Sequence, residues 1–215
     1  MSSSSWLTAF GLVVLGYLVG SLSPSVFLGK LFKGVDLRKQ GSGNAGTTNA
    51  FRVLGVKMGT AVLVADLLKG VIPVVIADLV LGEPIVTVLV ALATVAGHNY
   101  SIFLRGKGGK GVATGAGAAI AMMPLVGAVL VGLFLLLLLT TRIVSIASIA
   151  CTVMLPVMAI VFNEPLAYIV VSCLMSAVVL WAHRGNLRRL WRREEPRVTF
   201  PWNKRAEGGG DGVVT

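Results

Sequence analysis

The chain has 215 residues, of which 55% are hydrophobic and only 13% are Asp, Glu, Lys or Arg. About a quarter of the residues of a soluble domain are charged, so the composition excludes a soluble core with an anchor and indicates a polytopic membrane protein with a single helical bundle. The net charge of +10 does not indicate nucleic-acid binding, because the Lys and Arg residues lie in loops and a tail beside apolar segments. In those positions the Lys and Arg side chains would interact with anionic lipid headgroups and anionic substrates.

About seven apolar segments approach the length of about 20 residues that a membrane-crossing helix needs. They are Trp6–Phe32, Val56–Leu81, Ile85–Leu104, Val112–Met123, Leu125–Thr141, Ile143–Phe162 and Leu166–Ala182. We expect Pro24 to kink the first segment and Pro124 to divide the stretch 112–141 into two short crossings. No basic region precedes Trp6, so the first segment is interpreted as a retained helix and not as a secretory signal.

The pattern therefore predicts an all-α fold, a polytopic membrane helix bundle of about seven transmembrane helices with Gly-rich cytoplasmic or re-entrant loops. With the N-terminus outside, the inside segments hold all Lys and Arg residues except Lys69, and the outside turns hold none. This asymmetry follows the positive-inside rule and predicts that the C-terminus and the polar loops are cytoplasmic. We expect one transmembrane domain over residues 1–203 and a disordered Gly-rich tail over 204–215.

Two polar loops carry the same glycine spacing, G-x-G-x-x-G, at Gly41–Gly46 and Gly106–Gly111. Neither follows a strand in a βαβ unit, so the spacing does not indicate dinucleotide binding. Glycines allow backbone N–H groups to form a concave anion-binding nest, and Lys107 and Lys110 add positive charge, a combination that suits phosphate. A flexible basic loop at the membrane surface is the alternative interpretation of the second loop.

Other polar residues stand out against the apolar background. Arg52 follows the first glycine loop and is either a phosphate ligand or a snorkelling arginine. Asp66 and Lys69 share a helix face and are interpreted as an intramembrane ion pair, although charge at that depth favours a functional role. His98 and His183 each end an apolar segment near Asn and Arg residues, where a single histidine is usually structural.

The sequence offers no Ser–His–Asp set, no clustered carboxylate pair and no His/Cys metal spacing. Cys151 and Cys173 lie inside apolar segments and are interpreted as packing residues. We therefore expect no metal and no cofactor. If the protein is an enzyme, it needs an activated substrate and electrostatic assistance instead of a strong protein nucleophile.

Four motifs, taken together and in order, resemble the bacterial acyl-phosphate-dependent glycerol-3-phosphate acyltransferases. They are GSGNAGTTN from Gly41 with Arg52, DLLKG from Asp66, GHNYSIFLRGKGGKGVAT from Gly97 and HRGNLRRL from His183. Ala45 stands where that family usually has Pro. The H-x4-D signature of the acyl-CoA-dependent glycerolipid acyltransferases is absent, because Phe103 and Arg188 occupy its last position.

The resemblance implies an integral enzyme of the bacterial cytoplasmic (inner) membrane. It would transfer a fatty acyl group from acyl phosphate to the 1-hydroxyl of glycerol 3-phosphate, giving lysophosphatidic acid and phosphate in the first step of phospholipid synthesis. Its partners would be these two substrates, the lipid bilayer and a soluble acyl-phosphate-producing enzyme that hands over the donor. No nucleic acid is expected.

The resemblance also implies roles for individual residues. Ser42, Gly43, Thr48 and Lys110 would hold the acyl phosphate, with Lys107 close by. Arg52, His183 and Asn186 would bind glycerol 3-phosphate, and the general base is either His183 or the substrate's own phosphate. Five residues are predicted to be catalytic: Ser42, Arg52, Lys110, His183 and Asn186. The predicted substrate-binding residues are Gly43, Asn44, Thr47, Thr48, Asn49, Lys69, His98, Lys107, Gly108, Gly109 and Gly111.

Two other classes of function remain open to test. A membrane transporter of small organic phosphates would use the basic glycine loops as gates, but it should show an internal repeat and a midplane site. A non-catalytic scaffold would bind anionic lipid through the basic tail and leave the glycine loops without a role.

Overall fold

The computed structural model describes residues 3–198, and within them the regular structure is entirely helical. The helices are α1 (Ser3–Ser21), α2 (Pro24–Lys33), α3 (Thr47–Leu54), α4 (Val56–Leu81), α5 (Pro84–Asn99), α6 (Val112–Met122), α7 (Pro124–Thr141), α8 (Val144–Val161), α9 (Leu166–Ala182) and α10 (Arg184–Trp191). Two 3₁₀ turns, Leu37–Lys39 and Ile102–Leu104, lie in the loops. The predicted all-α fold is confirmed. The tail predicted over 204–215 lies outside the described residues.

The number of crossings is lower than seven when length and composition are applied to the described helices. Five stretches are long and apolar enough: 3–33, 56–81, 84–104, 124–141 and 144–161. Helices α9 and α10 add a sixth only if this pair, bent by 59°, is one span. Helix α6 has 11 residues, which at about 1.5 Å per residue cover roughly half of the hydrocarbon core.

Proline marks the predicted breaks. Pro24 is the first residue of α2 and Pro124 is the first residue of α7. Proline has no N–H to donate and a fixed φ, so it fits the first turn of a helix and ends the one before it. The breaks expected in the first segment and in the stretch 112–141 are therefore confirmed.

Two helix pairs approach each other through glycine. A Cβ on Gly97 of α5 would overlap the carbonyl oxygen of Tyr17 in α1, and a Cβ on Gly70 of α4 would overlap that of Thr114 in α6. Small residues allow helix backbones to pack this closely in membranes. Because Gly97 precedes His98 and Gly70 follows Lys69, these contacts also bring the buried polar residues together.

The main apolar core is formed by residues of the six helices from α4 to α9. It contains Val95, Met123 and Met175, each at most 2% exposed. Large apolar side chains such as Leu79 and Leu139 are exposed on the outer faces, as expected for helices that face lipid. The polar loops converge at one end of the bundle, where α5 and α9 end and α3, α6 and α10 begin.

Candidate functional site

The first glycine loop is organised from inside by Asn49, a buried residue of α3. Its Nδ2 donates at 3.0 Å to three backbone carbonyls, those of Leu37, Gln40 and Asn44. Its Oδ1 accepts the N–H of Ser42 at 2.9 Å. Asn49 therefore shapes the loop and does not face solvent.

The second glycine loop folds back on the end of α5. The N–H of Gly108 donates to the carbonyl of Asn99 at 3.1 Å, and that of Gly109 donates to the carbonyl of His98 at 3.0 Å. A Cβ on Gly109 would overlap Nε2 of His98, so glycine is needed for this close approach.

These hydrogen bonds correct one expectation about both loops. The N–H groups of Ser42, Gly43, Gly108 and Gly109 all donate to protein oxygens, so they do not form the open anion nest that the glycine spacing suggested. In this arrangement the glycines supply shape and close packing.

Two adjacent clefts open between the glycine loops and the start of α10. The larger, of about 380 Å³, is lined by Ser42, Asn44, Lys110, Ala182, Arg184, Gly185, Asn186, Arg188 and Arg189. The smaller, of about 250 Å³, is lined by Asn44, Asn99, Tyr100, Gly109, Lys110, Ala182 and Arg184. Both clefts share the cationic residues Lys110 and Arg184, so each is suited to an anionic group.

Lys110 begins a chain of hydrogen bonds at the clefts. Its Nζ donates to Oδ1 of Asn186, and Nδ2 of Asn186 donates to Oε1 of Glu195 at 2.6 Å. The other carboxylate oxygen of Glu195 pairs with Nε of Arg189 at 2.7 Å. The contact with Glu195 fixes the orientation of the Asn186 amide, so that its oxygen faces the lysine.

Burial lowers the pKa of Lys110 from its usual 10.5 to about 8, and the positive charges of Arg189 and Arg52 act in the same direction. The negative charge of Glu195 opposes this shift. Lys110 therefore remains mostly charged at neutral pH but loses its proton under mildly alkaline conditions. Burial alone would raise the pKa of Glu195, but hydrogen bonds from Asn186 and Arg189 lower it, so this carboxylate stays ionised.

Arg52 and His183 lie beside the clefts and do not line them. Arg52 is exposed on α3, close enough to influence the charge of Lys110. His183 is only 3% exposed, and its Nδ1 lies 2.8 Å from the carbonyl oxygen of Val179. Because a carbonyl can only accept, Nδ1 carries the proton and Nε2 is left as the acceptor.

A buried polar cluster lies beneath the glycine loops. Asp66 pairs with Lys69 at 2.9 Å and accepts a hydrogen bond from Thr47 at 2.9 Å. His98 contacts Thr114 at 3.1 Å and lies 3.7 Å from Asp66. This cluster connects α3, α4, α5 and α6, and the predicted substrate-binding residues Thr47, Lys69 and His98 lie in it and not in the clefts.

The remaining predicted residues lie in a cleft wall, at the surface or at the buried start of α6. Ser42 and Asn44 line the larger cleft. Thr48 and Lys107 are exposed and do not line either cleft, while Gly111 is buried at the start of α6 with φ of 81°. Sequence reasoning missed several cleft residues, although the basic run that follows His183 was a signal for them: Arg184, Arg188 and Arg189. It also missed Glu195, which stands within the same basic run.

The fold and the clefts define an integral membrane protein of the helical class with a cationic site at one end. A family model described as glycerol-3-phosphate acyltransferase matches residues 10–193. A glycerol-3-phosphate acyltransferase of Rubrobacter xylanophilus is 42% identical, over 93% of this chain and 98% of that protein. One of Bacillus velezensis is 38% identical, over 88% and 97%.

Solved structures agree with the family match. The crystal structure of PlsY (YgiH), an integral membrane glycerol 3-phosphate acyltransferase, in its glycerol 3-phosphate form has a TM-score of 0.86 and 39% identity, covering 89% of this chain and 96% of that one. Its lysophosphatidic acid form has a TM-score of 0.84 and 38% identity, with the same coverage. The chain belongs to the glycerol-3-phosphate acyltransferase family.

Proposed function

We propose that this protein transfers a fatty acyl group from acyl phosphate to the 1-hydroxyl of glycerol 3-phosphate, releasing lysophosphatidic acid and phosphate. The observation that carries the proposal is the position of Lys110, which lines both clefts. One cation there can contact the phosphate of each substrate, and it can stabilise the charge that develops on the leaving phosphate. The forms of PlsY (YgiH) named for glycerol 3-phosphate and lysophosphatidic acid support the acceptor and the product.

The chemistry needs no covalent intermediate on the protein. The hydroxyl oxygen of glycerol 3-phosphate attacks the acyl carbonyl carbon, and the bond from that carbon to the phosphate oxygen breaks. Phosphate leaves with the bonding electron pair, and the hydroxyl proton passes to a base. Acyl phosphate is a mixed anhydride with a good leaving group, so positioning and charge stabilisation supply the catalysis.

His183 and the phosphate of glycerol 3-phosphate are the two candidate bases. The contact of His183 Nδ1 with Val179 leaves Nε2 able to accept a proton. Ala182 and Arg184, the neighbours of His183 in the chain, line both clefts. We assign His183 the role of orienting the hydroxyl group by accepting its hydrogen bond, while Ser42 and Arg52 position the two phosphates and Asn186 positions Lys110.

The basic residues also support an orientation in the bacterial inner membrane. We propose that the N-terminus is outside, that the clefts and the C-terminus are cytoplasmic, and that residues 1–203 form one domain. A soluble enzyme that makes acyl phosphate would then deliver the donor from the cytoplasm. Labelling single cysteines at Ser5 and Arg197 with a membrane-impermeant thiol reagent in intact cells tests this orientation, after Cys151 and Cys173 have been replaced by alanine. Only the cysteine at position 5 should react.

The decisive test of the reaction uses purified protein in detergent with glycerol 3-phosphate and either acyl phosphate or acyl-CoA. We expect lysophosphatidic acid with acyl phosphate only. Formation of lysophosphatidic acid with acyl-CoA and not with acyl phosphate would reverse the donor assignment. No product with either donor, together with counterflow of labelled glycerol 3-phosphate in vesicles, would instead identify a transporter.

A further inference from the structure

The break between α1 and α2 leaves two backbone carbonyls without their helical partners. In a continuous helix the N–H groups of Ser25 and Val26 would donate to the carbonyls of Ser21 and Leu22. Here α1 ends at Ser21 and α2 begins at Pro24, so both carbonyls are freed. Within a membrane such groups need other donors. Residues 21–25, which we call the junction, are therefore a place where other parts of the chain can attach.

Two side chains from distant parts of the sequence supply the missing donors. Oγ of Ser101 donates to the carbonyl of Ser21 at 2.6 Å, and Nζ of Lys69 donates to that of Leu22 at 2.7 Å. Ser101 is buried, and its own carbonyl accepts the N–H of Gly106 at 2.8 Å. The start of the second glycine loop is thus fixed to the junction.

The junction also holds the first glycine loop. Oγ of Ser25, which is fully buried, donates to the carbonyl of Ala45 at 2.7 Å. Val26, Ala45 and Leu104 pack in one small buried cluster, so α2 also contacts the 3₁₀ turn that precedes the second loop. Because Ala45 follows Asn44, a residue that lines both clefts, the bond from Ser25 fixes the backbone beside the cleft wall.

We propose that Ser25 and Ser101 are positioning residues for the reaction. Their hydroxyl groups hold the two glycine loops on the junction and so set the separation of the cleft walls, since Asn44 of the first loop and Gly109 of the second both line the smaller cleft. Neither serine lines either cleft, so each acts through the loop that it anchors. The proposal rests on the proposed function, because the substrates in the clefts are those of that reaction.

The test replaces each serine by alanine and measures KM and kcat for both substrates. We expect the KM for at least one of them to rise about fivefold in Ser25→Ala and in Ser101→Ala, the factor that corresponds to one neutral hydrogen bond. A merely structural role would lower the amount of folded protein, which reduces the apparent kcat and leaves the KM unchanged. Unchanged KM values for both substrates in a variant would exclude that serine from the positioning role.

Ser176→Ala is the matched control. Ser176 is buried on α9, and its Oγ donates to the carbonyl of Thr152 in α8 at 2.6 Å, so the variant loses the same kind of bond without touching a glycine loop. It should keep the KM values of the wild type, and a rise of equal size would overturn the proposal. If an alanine variant does not fold, Ser25→Cys and Ser101→Cys fill nearly the same space with a weaker donor and should raise the KM in the same direction.

A binding measurement separates this inference from the proposed reaction. Glycerol 3-phosphate and inorganic phosphate should each raise the melting temperature of the wild type, and Ser25→Ala and Ser101→Ala should each reduce at least one of these increases. If the wild type makes no lysophosphatidic acid but the increases are reduced in these variants and kept in Ser176→Ala, the reaction assignment fails and the positioning role stands. If the increases are unchanged in both variants, the positioning role fails.

Discussion

Lys110 donates a hydrogen bond to the side-chain oxygen of Asn186, a residue 76 positions further along the chain. This contact joins the second glycine loop to the last described helix, and Glu195 holds the other side of the same amide. The cation that both clefts share is therefore positioned by residues from the end of the chain. The loop motif alone does not determine where its charge lies.

Replacing Lys110 by alanine should lower kcat/KM by at least about 100-fold, the scale for losing one charge-stabilising group. The matched control is Lys57→Ala, which removes an exposed lysine at the start of α4 and should retain activity. Initial rates of lysophosphatidic acid formation at equal protein amounts measure the effect. Turnover close to wild type in Lys110→Ala would exclude this lysine from the mechanism.

The pH dependence of kcat/KM should show the ionisation of Lys110. Burial lowers its pKa to about 8, so the charged form that attracts phosphate is present below that pH and is lost above it. We expect kcat/KM to fall as pH rises through about 8. In Lys110→Arg the guanidinium stays charged across this range, so any remaining activity should lack the alkaline fall.

Asn186 and Glu195 should behave as one unit in a double-mutant cycle. Glu195→Gln keeps an acceptor for one neighbour but presents an N–H group to the other, so either Asn186 or Arg189 loses its hydrogen bond. Each of Glu195→Gln and Asn186→Ala should lower kcat/KM. Expressed as activation free energy, the loss in the double variant should be smaller than the sum of the two single losses by about 1 kcal/mol or more. Additive losses would show that Glu195 does not act through the asparagine.

Gly109 should not tolerate a side chain. In Gly109→Ala the new Cβ would overlap His98, and such overpacking costs about 1–3 kcal/mol. We expect a lower melting temperature and a lower kcat, because the loop must move away from the end of α5. Gly132→Ala, at a position in α7 with open space around it, serves as the control and should melt like the wild type.

The buried pair of Asp66 and Lys69 should stabilise the fold only as a pair. Asp66→Leu leaves the buried ammonium group of Lys69 without its opposite charge, a change that costs about 3–5 kcal/mol. The double variant Asp66→Leu/Lys69→Met removes both charges and should recover most of the melting temperature. Equal destabilisation in the single and double variants would show that the cost in Asp66→Leu does not come from leaving the charge of Lys69 unpaired.

Local sequence pattern was enough to predict the class of fold and the approximate position of every long helix. Apolar length sets the membrane-crossing segments, and Pro24 and Pro124 end helices by local geometry, so both features can be predicted without long-range contacts. The polar residues that interrupt this pattern also predicted several residues that line the larger cleft, including Lys110 and Asn186. Helix α6 was harder to predict as a membrane crossing, because its 11 residues fall below the length that defines one.

Which of those residues meet in the clefts depends on how the helices pack against one another. These hydrogen bonds depend on partners distant in the chain, so sequence could not show that Asn49 and Gly109 bond inward or that His98 is buried. Nor could it show that Glu195, unremarkable within a basic run, orients Asn186 toward Lys110. Local pattern determines where a helix begins and ends, whereas the packing of several helices determines which polar groups remain free to bind substrate.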